Sequence, residues 1–160
     1  MANWRTVSEE EAKQHKLYGV KGWLLFFGIS IVLTFFKELG SINIEAHKAG
    51  LTLGQFLSLD HPGISFVKGI LIYEAFIASS IICMMIAKAS FFRITSFFLM
   101  LSVFPVVVVL AAVTGFTEAG SAIGKGFIEW VLYCAVWGLY LFLSKRVHVT
   151  FKNKVKVDRK

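Results

Sequence analysis

Three ionisable residues sit inside stretches that are otherwise apolar. Lys68 and Glu74 lie in the run Ile64 to Ala87, and Glu129 lies in the run Gly126 to Leu143. A charge at the centre of a membrane-inserted helix costs about 2.5–3.5 kcal/mol, so each residue is a functional candidate by default. Lys68 and Glu129 each fall a few residues inside the same face of the bilayer. Depth permits an ion pair between them if their helices touch, and snorkelling of Lys68 to the interface is the plainer account. Glu74 is different. It lies mid-span, about 9 Å from Lys68 along the axis at about 1.5 Å per residue, with no basic residue at its depth. Its neutral polar neighbours at mid-depth are Ser30, Tyr133 and Pro105. Pro105 lacks an N–H and leaves the Leu101 carbonyl free, so a protonated Glu74 would donate to that carbonyl. Ala78, with the stripe Ala75, Ser79 and Cys83, predicts a close helix contact on the same side. Two roles follow for Glu74: a buried acid that pins packing, or a proton- or ion-linked group.

Other chemistry finds little support. Cys83 and Cys134 both lie in apolar runs, outside any C-x-x-C or metal-ligand spacing. His15, His47, His61 and His148 are scattered. His47 and His61 share a segment with Glu45 and Asp60, but their spacing matches no metal pattern, and a solvated loop is the plainer account. There is no G-x-S-x-G box, P-loop or H-E-x-x-H motif. The expectation is a protein that is not an enzyme, with no cofactor and no metal.

The elements that carry these residues follow from composition. Hydrophobic residues make up 56% of the 160 and charged residues 17%, against about 45–50% and about 25% in soluble domains. A membrane protein is implied. Four apolar runs reach or approach the roughly 20 residues a spanning helix needs. Their expected spans are about 19–37, 64–87, 94–116 and 124–143. They do not alternate, which argues against a β-barrel. The fold class is therefore all-α, an integral membrane four-helix bundle.

Lys and Arg set its orientation. Thirteen of the 17 fall in the N-terminal segment, in the short loop holding Lys88 and Arg93, or in the tail; Lys37, Lys48, Lys68 and Lys125 fall on the other side. Both termini are expected in the cytoplasm. Residues 1–18 form an N-terminal segment in which Ser8-x-x-Glu11 predicts a capped short helix ending near Leu17. No apolar region with a cleavage site follows directly, so a cleaved signal peptide is not expected. Residues 38–63 form a long outer loop, where Leu51 to Leu59 suits an interfacial or re-entrant segment and Asp60-His61-Pro62-Gly63 a turn. Residues 144–160 form a basic tail.

The net charge of +7 suits anionic headgroups rather than nucleic acid, because the cations gather at chain ends and between spans. In the tail, Lys145, Arg146, Lys152, Lys154 and Lys156 are candidate contacts to lipid or a partner. Val147, Val149 and Phe151 alternate with polar residues, as do Val155 and Val157, which suits a docking strand for a cytoplasmic partner.

Two boxes carry a resemblance. Leu17 to Ile29 reads LYGVKGWLLFFGI, and Ser144 to Phe151 reads SKRVHVTF. Together they resemble a family of small bacterial inner-membrane proteins of unknown function, with a G-x-x-GWLL box entering the first span and an SKRV-x-x-TF box after the fourth. The resemblance implies a four-span protein of the bacterial cytoplasmic membrane and no particular activity. In physical terms, Gly19 and Gly22 suit close helix contact, Trp23 an interfacial anchor, and Lys145-Arg146 a cytoplasmic exit.

The functional expectation is a non-enzymatic membrane protein that binds a protein or lipid partner, such as an accessory subunit or an immunity-type protein. The alternative is a small proton-coupled transporter or channel built on Glu74. A lipid-directed membrane enzyme ranks third, for want of a convergent acid, base and nucleophile. The orientation is tested with single cysteines in a cysteine-free background. One at Ser8 should resist an impermeant thiol reagent in intact cells and one at His47 should react; the reverse pattern would invert the topology.

Overall fold

The computed structural model of the chain describes the backbone of residues 4–116 and 119–156, and the side chains there apart from 119–126 and 156. Lys125, Lys156, Arg159 and Lys160 thus carry side chains outside the described residues.

Four long helices dominate: α2 (Trp23–Lys48), α4 (Pro62–Ile86), α5 (Phe92–Thr114) and α6 (Ala119–Leu143). Short elements flank them: β1 (Trp4–Thr6), α1 (Glu9–Gln14), α3 (Leu53–Ser58), α7 (Lys145–Lys152) and β2 (Lys154–Lys156). Among the described residues, α2, α4 and α5 are each long and apolar enough to cross a membrane. The described part of α6 qualifies when taken together with α7, which leaves it at a bend of 63°. Large apolar side chains such as Ile72, Ile86 and Val113 stand exposed along the helices. Hydrocarbon is the solvent that suits such a surface.

Local signals start and stop the helices. His61 caps α4 through Nδ1, which accepts from the Gly63 N–H at 3.1 Å, and Pro62 occupies the first turn. Ser8 and Glu11 close a capping box on α1, which ends at Gln14, short of Leu17. Thr52 and Gln55 do the same for α3.

The region 38–63 is not loop throughout. Helix α2 continues to Lys48, because Lys37, Glu38 and Ser41 lower hydropathy without breaking the backbone ladder. The apolar stretch after it folds as one short helix, α3.

The tail also differs from expectation. Val147, Val149 and Phe151 lie in α7, not in a strand, and all three are buried. The strand that does form, β2, pairs antiparallel with β1, Arg5 opposite Val155. The chain's own first strand is the partner, and the two terminal strands lie together at one end of the bundle.

Here the two sequence boxes meet. Thr150 Oγ1 accepts from the Gly19 N–H at 3.0 Å, and Arg146 donates to the Leu17 carbonyl at 3.2 Å. Phe151 stacks on Phe92 with ring centroids 4.1 Å apart. Gly19 and Gly22 do not serve close helix contact, since open space surrounds the Cα of each. They hold φ of 93° and 58°, a region that side chains with a Cβ avoid. The turn they make carries the chain from α1 into α2.

The core lies toward this end. Leu24 and Phe27 of α2, Ile81 and Met85 of α4, Phe92 and Met100 of α5, and Trp137 and Leu141 of α6 form one cluster with Val147 and Phe151 of α7. Replacing Phe151 with Ala should therefore cost about 3 kcal/mol or more of unfolding free energy. Denaturant titration in detergent measures it. A change below about 1 kcal/mol would mean that α7 is peripheral.

Candidate functional site

From the core outward, away from the terminal strands, the four long helices line a partly open cavity of about 440 Å³ whose inner end is formed by Ile31, Ile77, Ile81 and Met100 of the core. That size is within the ordinary range for small-molecule sites. Helix α2 contributes Ile31, Thr34, Phe35, Lys37 and Glu38, spaced to share one face. Helix α4 contributes Glu74, Ile77 and Ile81, α5 contributes Met100 and Val103, and α6 contributes Glu129, Trp130 and Tyr133. Three carboxylates thus line one space.

The hydrogen bonds of the wall decide what the cavity offers. Ser30 donates its hydroxyl proton to the Phe27 carbonyl at 2.8 Å. Its contact with Tyr133 Oη at 3.4 Å must then be one in which Tyr133 donates. Thr34 donates to the Ser30 carbonyl at 2.9 Å, and Trp130 Nε1 donates to the Met100 carbonyl at 3.0 Å. Each neutral side-chain donor on the wall is already committed. Thr34 and Tyr133 can offer the cavity lone pairs only. Glu38, Glu74 and Glu129 add carboxyl oxygens, and the exposed Lys37 is the one cation on the lining. Phe35, Trp130 and Tyr133 add aromatic rings to the lining, a residue type that attracts cations.

Glu74 is half-buried, and its Oε2 is buried without a hydrogen-bond partner. The expected bond to the Leu101 carbonyl is not made. Helix α5 turns Met100 and Val103 toward the cavity and leaves Pro105 exposed. The small residues Ala75, Ser79 and Cys83 are also exposed, and the inward stripe of α4 is Ile77, Ala78, Ile81 and Met85. Close packing on α4 therefore comes from branched and flexible side chains one step round the helix.

Lys68 and Glu129 form no ion pair. Among the described residues the ion pairs are Arg5–Glu11, Glu9–Lys13 and Glu45–Lys48, all on the surface. The reason is helix order. Helix α4 packs on α2 and α5, whereas α6 packs on α5, so α4 and α6 face each other across the cavity. Glu129 lines that cavity and Lys68 does not.

Among the described residues, α2 and α6 meet through side chains, Phe26 and Phe27 against Trp137 and Ser30 against Tyr133, rather than through close backbone packing. Along that seam runs a mostly apolar groove lined by Trp23, Phe26, Leu132, Val136, Trp137 and Tyr140, and it shares Glu129 and Tyr133 with the cavity. Phe27 and Trp137, with centroids 4.9 Å apart, bridge the seam at its core end. The groove and the cavity thus share Glu129 and Tyr133 as a common wall, with the Ser30–Tyr133 hydrogen bond crossing the seam there.

Sequence reasoning singled out Glu74, Glu129 and Tyr133, which the fold brings together, with Ser30 behind Tyr133. It missed Thr34, Glu38 and Trp130. The i, i+3, i+4, i+7 spacing of Ile31, Thr34, Phe35 and Glu38 was the available signal. Among the described residues, no group of three or more His, Cys, Asp or Glu is placed to hold a metal ion.

The chain belongs to a family described as a protein of unknown function (DUF2569), whose model matches residues 17–152. The match takes in the four long helices, the cavity and α7. Neither a curated protein nor a solved structure matches the chain.

A buried polar atom without a partner is a burden on the fold. Glu74→Gln and Glu74→Leu should therefore leave stability unchanged or raise it, by up to about 1 kcal/mol. Thermal unfolding in detergent reads this directly. A loss above about 1 kcal/mol in both variants would show that the carboxyl pins packing.

Proposed function

We propose that this protein is a non-enzymatic binding protein of the bacterial cytoplasmic membrane, with both termini in the cytoplasm. Its ligand is an amphiphile whose head carries a hydrogen-bond-donating ammonium group. The observation that carries this reading is the cavity wall with its neutral donors spent, which offers acceptors, carboxyl oxygens and aromatic rings. A primary ammonium supplies what such a wall lacks. The seam between α2 and α6 favours access from the bilayer, with the tail lying in the apolar groove. Of the two partner classes that the sequence suggested, this favours lipid over protein. The Lys/Arg distribution and the pairing of β1 with β2 support the assigned topology.

A second reading has an observation of its own. Glu74 Oε2, buried and unbonded beside the cavity, suits a carboxyl that exchanges a proton against a cation. Under this reading the bound amine is cargo. Amine-driven proton movement in liposomes containing only this protein supports transport; binding without it supports a receptor or carrier role.

The binding reading is tested with tetradecylamine, compared with tetradecanol, on protein in nanodiscs. The amine should raise the unfolding midpoint more than the alcohol. Glu74→Gln should weaken amine affinity about tenfold or more, the scale of one charge-assisted hydrogen bond. Equal shifts for amine and alcohol, or unchanged affinity in Glu74→Gln, would contradict it.

A further inference from the structure

The termini-bearing end of the bundle holds a second chemical feature, independent of the cavity. Arg93, in the first turn of α5, is half-buried. Its guanidinium lies 5.0 Å from the ring centroid of Phe142, and its Nη1 is 3.0 Å from His148 Nε2. His148 Nδ1 is 3.0 Å from the Ser144 carbonyl, so Nδ1 carries the proton and Nε2 accepts from Arg93. Burial, with the Arg93, Lys152 and Lys154 charges, holds His148 below its ordinary value, which agrees with a neutral ring. On its other side Trp4 stacks at 4.4 Å. Two rings thus fix the arginine in place.

Its charge is not answered. Arg93 Nε is buried and has no hydrogen-bond partner. Lys152, the last residue of α7, lies one turn beyond His148 on the same helix face, and Lys154, the first of β2, follows across the Asn153 turn; the Arg93 charge, then burial, and more weakly Lys154, hold Lys152 below its ordinary value. None of the three cations belongs to an ion pair among the described residues. Gathering like charges costs free energy that a bound anion recovers. Beside the cluster, Phe91, Ile94, Phe142 and Leu143 are exposed apolar groups of α5, α6 and the turn before α5. The cluster therefore lies at the edge of the lipid-facing belt, at headgroup level.

We propose that Arg93, Lys152 and Lys154 form a binding site for the headgroup of an anionic phospholipid in the leaflet on the side of the termini. Arg93 and the two lysines contact the phosphate, and the acyl chains lie along Phe142 and Leu143. His148 and Phe142 are positioning residues that aim the guanidinium. The site differs from a diffuse basic tail because its cations are set by the α7–β2 turn and by one residue from the first turn of α5. Asn153 makes that turn with φ of 48°, a left-handed conformation that Asn tolerates.

The test measures affinity of the detergent-solubilised full chain for phosphatidylglycerol, with phosphatidylcholine and inorganic phosphate as comparisons. Phosphatidylglycerol should bind most tightly. Lys152→Gln and Lys154→Gln, both at partly exposed positions, should each weaken it about fivefold, the scale of one juxtamembrane cation. Lys16→Gln, which removes an exposed cation from the same end, should change it less than twofold. Arg93→Gln should weaken it more; if that variant fails to fold, the lysine variants decide. Equal losses in Lys16→Gln and Lys152→Gln would overturn the site in favour of diffuse attraction. Equal affinity for phosphatidylcholine would overturn the requirement for an anionic lipid. Competition by inorganic phosphate at the same concentration as the lipid would overturn lipid as the occupant.

Discussion

Inside hydrocarbon a polar group has only the protein to bond to, and the interior of this bundle is arranged around that demand. Ser30, Thr34, Ser102 and Thr114 each return their hydroxyl proton to a carbonyl of the preceding turn of their own helix. Trp130 reaches across to the Met100 carbonyl and ties α6 to α5. Tyr133 ties α6 to α2 through Ser30. Ser96 Oγ, buried in α5 without a partner, is an exception. The consequence for the cavity is a wall of acceptors. Glu74 completes that wall with an oxygen the fold does not satisfy. The chemistry of the cavity thus follows from the rule that stabilises the helices around it.

The clasp at the termini has a complementary role. It joins the first and last matched segments of the chain through Thr150 and Arg146, and α7 to α5 through the Phe151–Phe92 stack. It also fixes the core ends of α2 and α6 relative to each other, with Trp137 against Phe27. One turn farther the two helices are joined by the long Ser30–Tyr133 hydrogen bond of 3.4 Å. A bundle clasped at one end and lightly joined along one seam can admit a tail without losing its core. The basic cluster lies on the clasp and the acidic cavity extends outward from the core, so the two sites divide the bundle by charge along its axis.

The spans were legible because hydropathy over about 20 residues reports bilayer crossing. The boundary of α2 was not, because Lys37 and Glu38 end an apolar run without ending a helix. The tail misled in a specific way. Val147, Val149 and Phe151 alternate as a strand would, yet Val147 and Phe151 are also i, i+4 neighbours on one helical face. Glu74 was legible by depth, since a mid-span carboxylate stands out against apolar neighbours. Its companions were not, because which helices are neighbours is a tertiary fact. Placing α5 between α4 and α6 separates Lys68 from Glu129 and sets Glu38 and Glu129 round the same space as Glu74. The inward face of α4 was misjudged for a related reason. Small residues mark close contact only where a second helix lies, and Ala75, Ser79 and Cys83 have none over them.

The central claim is that an amphiphile enters between α2 and α6 and sets its head in the cavity. Photocrosslinking measures this most directly, with a long-chain primary amine carrying a diazirine in its tail, added to the protein in nanodiscs. The account predicts adducts concentrated on Phe26, Leu132 and Val136 along the seam, and their loss on competition with unlabelled amine. Adducts spread equally over exposed positions elsewhere in the belt, such as Ile72, Val109 and Val113, would contradict it.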